Sequence, residues 1–174
     1  MDFLKQFLIP FSSLKVGTYP FEFEIDNSFF EHFDSSEIKN GRLSVNIDFE
    51  KQTRMLILNF NISGNVRLIC DRCLDEFDQA IQTEKKLIVK LGTEEKEETD
   101  EIISIPNSEH AFNVAQYIYE FIHLTLPVKK VHPTNENGES LCNAEVIKKL
   151  KEHQINIVEE KDSRWESLKN IKLN

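Results

Sequence analysis

Glycine and proline are scarce in this chain, at five each in 174 residues, which excludes low-complexity and collagen-like classes. Long apolar runs are missing as well. Nothing approaches the roughly 18 consecutive apolar residues of a membrane span, so no membrane-crossing segment is expected. The start, Met1-Asp2-Phe3-Leu4, has no basic stretch followed by an apolar run, so no secretory signal is read there and a soluble, cytoplasmic protein is expected. Cysteine is rare and odd in number, at three, which argues against a disulfide framework. Positive charge is also in short supply. Lys and Arg number 21 against 30 Asp and Glu, for a formal net charge of −9. Up to residue 123 the balance is 12 basic against 22 acidic; beyond it, 9 against 8. An acidic body repels a phosphate backbone, so any direct contact with RNA is expected through the C-terminal third. The motifs of common enzyme classes are absent: no Gly-x-Ser-x-Gly, no His-Glu-x-x-His, no phosphate-binding Gly-x-x-x-x-Gly-Lys. The histidines are scattered, and no catalytic set is expected.

What the chain does have is a core-forming composition, with 40% hydrophobic residues and thirteen Phe. Phe21, Phe23 and Ile25 alternate with acids, which predicts a strand with one buried face. Asn27 or Ser28 is expected to cap a short helix carrying Phe29, Phe30 and Phe33. After Asn40-Gly41, Leu43, Val45, Ile47 and Phe49 alternate with polar residues; Glu50 to Thr53 reads as a hairpin loop, and Leu56, Leu58, Phe60 and Ile62 return. Gly64 interrupts that pattern, where a glycine signals a bulge or bend. Another strand is predicted from about Phe77 to Leu91, an acidic loop over Glu94 to Glu101, and a short edge strand at Ile102, Ile103 and Ile105. Asn113 with Gln116 has the form of a capping box, opening a helix with Ala115, Ile118, Ile122 and Leu126 in one stripe, widened by Tyr119 and Leu124 and stopped by Pro127. Short helices are expected at Ala144 to His153 and, with Trp165, Leu168 and Ile171, at Ser163 to Leu173. The fold class predicted is α+β: an antiparallel β meander of about five strands, a helix packed on one face, and a helical C-terminal tail. Residues 1–130 would form the core domain and 131–174 a loop and the helical tail.

One local feature carries chemistry. Cys70-Asp71-Arg72-Cys73 is a Cys-x-x-Cys turn between two predicted strands, the setting of a zinc knuckle, where two thiolates converge on one metal. A structural zinc takes about four ligands, and His132 and Cys142, in the loop after Pro127, complete the set. The nine residues between them make a long spacing for a compact ligand pair. Two other readings stand beside zinc. The cysteines can be reduced thiols that fill space. Alternatively, Cys70 and Cys73 form a dithiol in a thiol-dependent enzyme, although that chemistry favours a helix N-terminus rather than a turn between strands.

The segments Leu68-Ile69-Cys70-Asp71-Arg72-Cys73-Leu74, Leu124-Thr125-Leu126-Pro127 at the end of a helix bearing Glu120, His132 to Cys142, and Asp162-Ser163-Arg164-Trp165-Glu166-Ser167-Leu168-Lys169 occur in this order. Together they resemble the signatures of the YceD family over roughly residues 40–173. The sequence departs from the family at Ser163, where Pro is usual, and many relatives carry more cysteines after the Leu-x-Leu-Pro. The resemblance implies a non-catalytic role in the accumulation, processing or stability of large-subunit ribosomal RNA. The partner would be that RNA or a ribosome-assembly protein, bound directly or indirectly, with no membrane and no small-molecule substrate. A zinc-binding adaptor for another cytoplasmic protein is the alternative. The residues expected to meet the partner are Arg72, whose fork can hold phosphate or carboxylate in bidentate fashion, Glu120, Arg164 and Trp165.

Overall fold

A computed structural model of the chain describes residues 3–34, 36–92, 99 and 101–154. Its frame is a five-stranded sheet in the order β2-β3-β4-β5-β6, formed by β2 (Gly17–Ile25), β3 (Asn40–Lys51), β4 (Met55–Ile69), β5 (Glu76–Leu91) and β6 (Ile102–Ile105). The strands from β2 to β5 pair antiparallel, and β3, β4 and β5 are long, at 12, 15 and 16 residues. Alternation fixes which side is buried: Leu43, Val45, Ile47 and Phe49 from β3, with Leu56, Leu58, Phe60 and Ile62 from β4, face the core, and Asn46, Asp48, Asn59 and Asn61 face away. The alternation reading holds for these strands, but the direction of the last does not follow a pure meander. β6 runs parallel to β5, with Ile88 opposite Ile102 and Leu91 opposite Ile105. Alternating side chains report the buried face of a strand and nothing about its direction.

The core face is closed from the N-terminal side by Phe7, Ile9 and Phe11, by α1 (Asn27–Glu31) with Phe29 and Phe30, and by α2 (Ala115–Thr125). The opening residues, which show no clear periodicity, form two short 3-10 turns flanking β1 (Leu8–Ile9), and β1 pairs antiparallel with β7 (Phe112–Asn113). This pairing displaces the expected capping box. Asn113 is a strand residue that accepts from the Ala115 amide (2.9 Å) and donates to the Leu4 carbonyl (3.1 Å). Val114 holds the cap position without a side-chain bond, and Gln116 turns outward to Glu120. The helix buries Ala115, Ile118, Phe121 and Ile122, with Phe121 edge-on to Phe60 at 5.1 Å between ring centroids, whereas Leu124 is 73% exposed. Leu126 follows the last turn in extended geometry, as the residue before Pro127 must. At α1 the cap is Asp26, one residue earlier than expected; its carboxylate accepts from the Ser28 hydroxyl and the Ser28 amide, and the hydroxyl bond foremost holds it below the usual carboxylate range.

Past α2 the chain crosses to the far end of β4 and β5 and ends its described part in α3 (Ala144–Glu152), capped by the Asn143 side chain. No helix among the described residues is long and apolar enough to cross a membrane. The helix expected at Ser163 to Leu173 lies outside the described residues.

Candidate metal centre

β4 ends at Ile69 and β5 begins at Glu76, so Cys70 to Asp75 form the tight turn between two long paired strands. The Cys70 amide donates to the Asp75 carbonyl (2.9 Å), and the Leu74 amide donates to the Cys70 carbonyl (2.9 Å). Closing this turn puts Leu74 at a φ of 63°, a left-handed conformation unusual for a leucine, and leaves its side chain 75% exposed. The Arg72 amide points at Cys70 Sγ, 3.4 Å away. These contacts give the turn the form of a knuckle, with both sulfurs on its inner side and buried.

The second half of the site comes from the loop after α2, stitched to the knuckle by backbone bonds. The Asp71 amide donates to the Lys130 carbonyl, and the Lys130 amide donates back to the Asp71 carboxylate, both at 2.7 Å. Lys130 also forms an ion pair with Glu37. Asn143 donates to the Asp75 carboxylate at 3.1 Å. Between these stitches the loop doubles back on itself: Thr134 bridges Ser140, and the Leu141 amide donates to the Pro133 carbonyl (3.1 Å). The long spacing from His132 to Cys142 is thereby folded out, and its two ends return to one place.

The four expected ligands converge. Cys70, Cys73, His132 and Cys142 each offer one ligand atom, and all four atoms lie within 4.8 Å of one another. Cys70 Sγ and Cys142 Sγ are 3.8 Å apart, and Cys73 Sγ is 3.4 Å from His132 Nδ1. Zinc–sulfur bonds of about 2.3 Å at tetrahedral angles set a sulfur–sulfur edge of about 3.8 Å. Three soft sulfurs and one imidazole at these separations fit a structural zinc. Burial opposes the Cys70 thiolate, but the amides of Cys73, Arg72 and His132 pointing at its sulfur outweigh that and bring its pKa down to about 6. Burial pushes Cys73 the other way, above the usual thiol range. Thiols this close do not all ionise freely without a cation among them.

The other expected site residues are placed differently. Arg72 is exposed at the tip of the knuckle, with its guanidinium 3.4 Å from Ser140 Oγ. Glu120 is exposed on α2, holding Gln116 at 2.7 Å, and takes no part in the sulfur cluster. Arg164 and Trp165 lie outside the described residues. His123 packs against Tyr119, with ring centroids 4.0 Å apart, and donates from Nδ1 to the Tyr119 carbonyl. Sequence reasoning missed the Asp71–Lys130 pairing that docks the loop; an acid inside the knuckle and a lysine after Pro127 gave no spacing signal that they would meet.

Fold and site together define a small α+β protein with a thiol-rich knuckle at one end of its sheet. A family model described as "Large ribosomal RNA subunit accumulation protein YceD" matches residues 58–172, well over half of the chain, and the chain belongs to that family. The matched span holds all four clustered ligands together with Arg72 and α2. No curated protein and no solved structure matches the chain.

Proposed function

We propose that this protein is a non-catalytic factor supporting the synthesis, processing or stability of large-subunit ribosomal RNA in the cytoplasm. Its partner would be that RNA or a ribosome-assembly protein, met directly or through others. The observation that carries the reading is the family match over residues 58–172, a span with the knuckle near its start and the docked loop inside it. Two features of this chain support a docking role. Arg72 and Leu74 stand exposed at the tip of a turn held by hydrogen bonds on both sides. The four clustered ligands are as many as a structural zinc takes, which suits a structural ion rather than one keeping an open position for substrate. A dithiol enzyme is less well supported, because Cys70 and Cys73 are buried in a turn between strands, enclosed with two further metal-type ligands, rather than accessible at a helix N-terminus.

Deleting the gene is expected to lower large-subunit RNA relative to small-subunit RNA. Wild-type protein should restore the ratio, and Arg72→Glu should restore it poorly. An unchanged ratio in the deletion strain would sink the proposal. On the metal side, Cys70, Cys73, His132 and Cys142 would hold one zinc, whose contribution is a cross-link between the sheet and the loop. Metal analysis of purified protein should find about one zinc per chain, lost on replacing Cys73 with Ser. A metal-free protein whose folding ignores a chelator would refute this part.

A further inference from the structure

Among the three sulfurs, Cys70 Sγ and Cys142 Sγ stand 3.8 Å apart, from two segments far apart in the chain; Cys73 also interacts with both and has His132 Nδ1 at 3.4 Å. Cys142 also has an approach from outside. It lines an open cleft of about 510 Å³ together with Glu139, Ser140, Ala144, Ile147 and Lys148 and, at 7% exposed, is the most exposed of the three cysteines, so this is the side from which a small polar oxidant would approach. Closing the pair from 3.8 Å to a bond of about 2.05 Å needs a movement of side-chain size. Cys142 stands just before the Asn143 cap of α3 and Cys70 just after β4, so the backbone on each side is anchored.

We propose that Cys70 and Cys142 are a redox modification site, forming a disulfide with hydrogen peroxide as oxidant, and that this bond and a bound metal are alternative occupants of one site. In the first step the Cys142 thiolate attacks the peroxide O–O bond: an S–O bond forms, the O–O bond breaks, and hydroxide leaves. The Cys70 thiolate then attacks that sulfur: the S–S bond forms and the S–O bond breaks, releasing a second hydroxide. With the two thiol protons, the products are one disulfide and two waters; the sulfurs are oxidised by two electrons and the peroxide is reduced by two. The disulfide removes two of four ligands, so metal cannot stay. It also joins the same two segments that the metal would join, the end of β4 and the start of α3. Oxidation therefore exchanges one cross-link for another and leaves the loop in place. The claim of exclusion rests on the zinc reading above; the claim of a Cys70–Cys142 bond does not.

The test uses full-length protein, chelator-treated or supplied with zinc, exposed to hydrogen peroxide and then mapped by non-reducing peptide mass spectrometry. The chelated protein should lose the mass of two hydrogens and yield one linked peptide pair joining Cys70 to Cys142, reversed by dithiothreitol. Cys73→Ser should still form the link. The zinc-supplied protein should oxidise about tenfold more slowly and release its metal in step with disulfide formation. A Cys70–Cys73 link, or sulfinic and sulfonic products without any link, would overturn the proposal, and wild-type mapping alone decides this if the variant fails to fold. Protein that forms the Cys70–Cys142 bond but never takes up zinc would overturn the exclusion and the metal reading together, while upholding the oxidation site.

Discussion

Gly64 sits on the core side of β4, opposite Leu43 on one neighbour and Ile81 on the other, with no slip in either register. The bulge that a glycine there would signal is therefore absent. Its φ is +148°, and a Cβ added there would lie 2.2 Å from the Arg42 carbonyl oxygen and 2.6 Å from Leu43 Cα. β3 thus approaches β4 more closely here than any side chain permits. Gly64→Ala should destabilise by roughly 2–5 kcal/mol, combining an unfavourable backbone conformation with overpacking, as read from urea unfolding. Wild-type stability in that variant would mean the close approach is not there. Leu74 shows the opposite case at the same scale: a side chain kept in left-handed geometry where glycine would be the easy choice. The Cys-x-x-Cys spacing made the turn legible, since four residues define it locally. The handedness at Leu74 was not legible, because it follows from how two paired strands force the turn to close.

At the scale of elements, α2 shows what periodicity does and does not give. Ala115, Ile118 and Ile122 were readable as a stripe, and all are buried. Leu124 was counted with them and points to solvent, while Phe121 was passed over and fills the space against Phe60. A stripe of about 100° is wide enough for its edge to be misjudged by one residue. The start of the helix escaped because Asn113 is claimed by β1, more than a hundred residues away in the chain, and no local signal announces such a pairing. Phe121→Ala should therefore destabilise by about 3–5 kcal/mol while Leu124→Ala stays within about 0.5 kcal/mol. Denaturation of both variants checks the facing of the helix, and equal effects would contradict it. Neither change should alter metal content, because neither residue belongs to the cluster.

Across the whole molecule, the buried faces of the long strands could be read directly, since two-residue alternation is imposed by burial of one sheet face. The parallel sense of β6 could not, because direction depends on the route of the connection. The site was half legible: the knuckle by spacing, the other two ligands only as the remaining Cys and His of one loop. Their convergence comes from long-range stitches, Asp71 to Lys130 and Asn143 to Asp75, which have no sequence period.

Chain order gives the centre a history. His132 follows Cys73 by 59 residues and Cys142 follows Cys70 by 72, so a nascent chain presents the first two thiols long before the partners that enclose them. The hairpin of β4 and β5 can pair while its tip is still bare. Until Cys142 has emerged, those two thiols lack the residues that enclose them in the finished fold, so the site is completed only when the last of the four is synthesised.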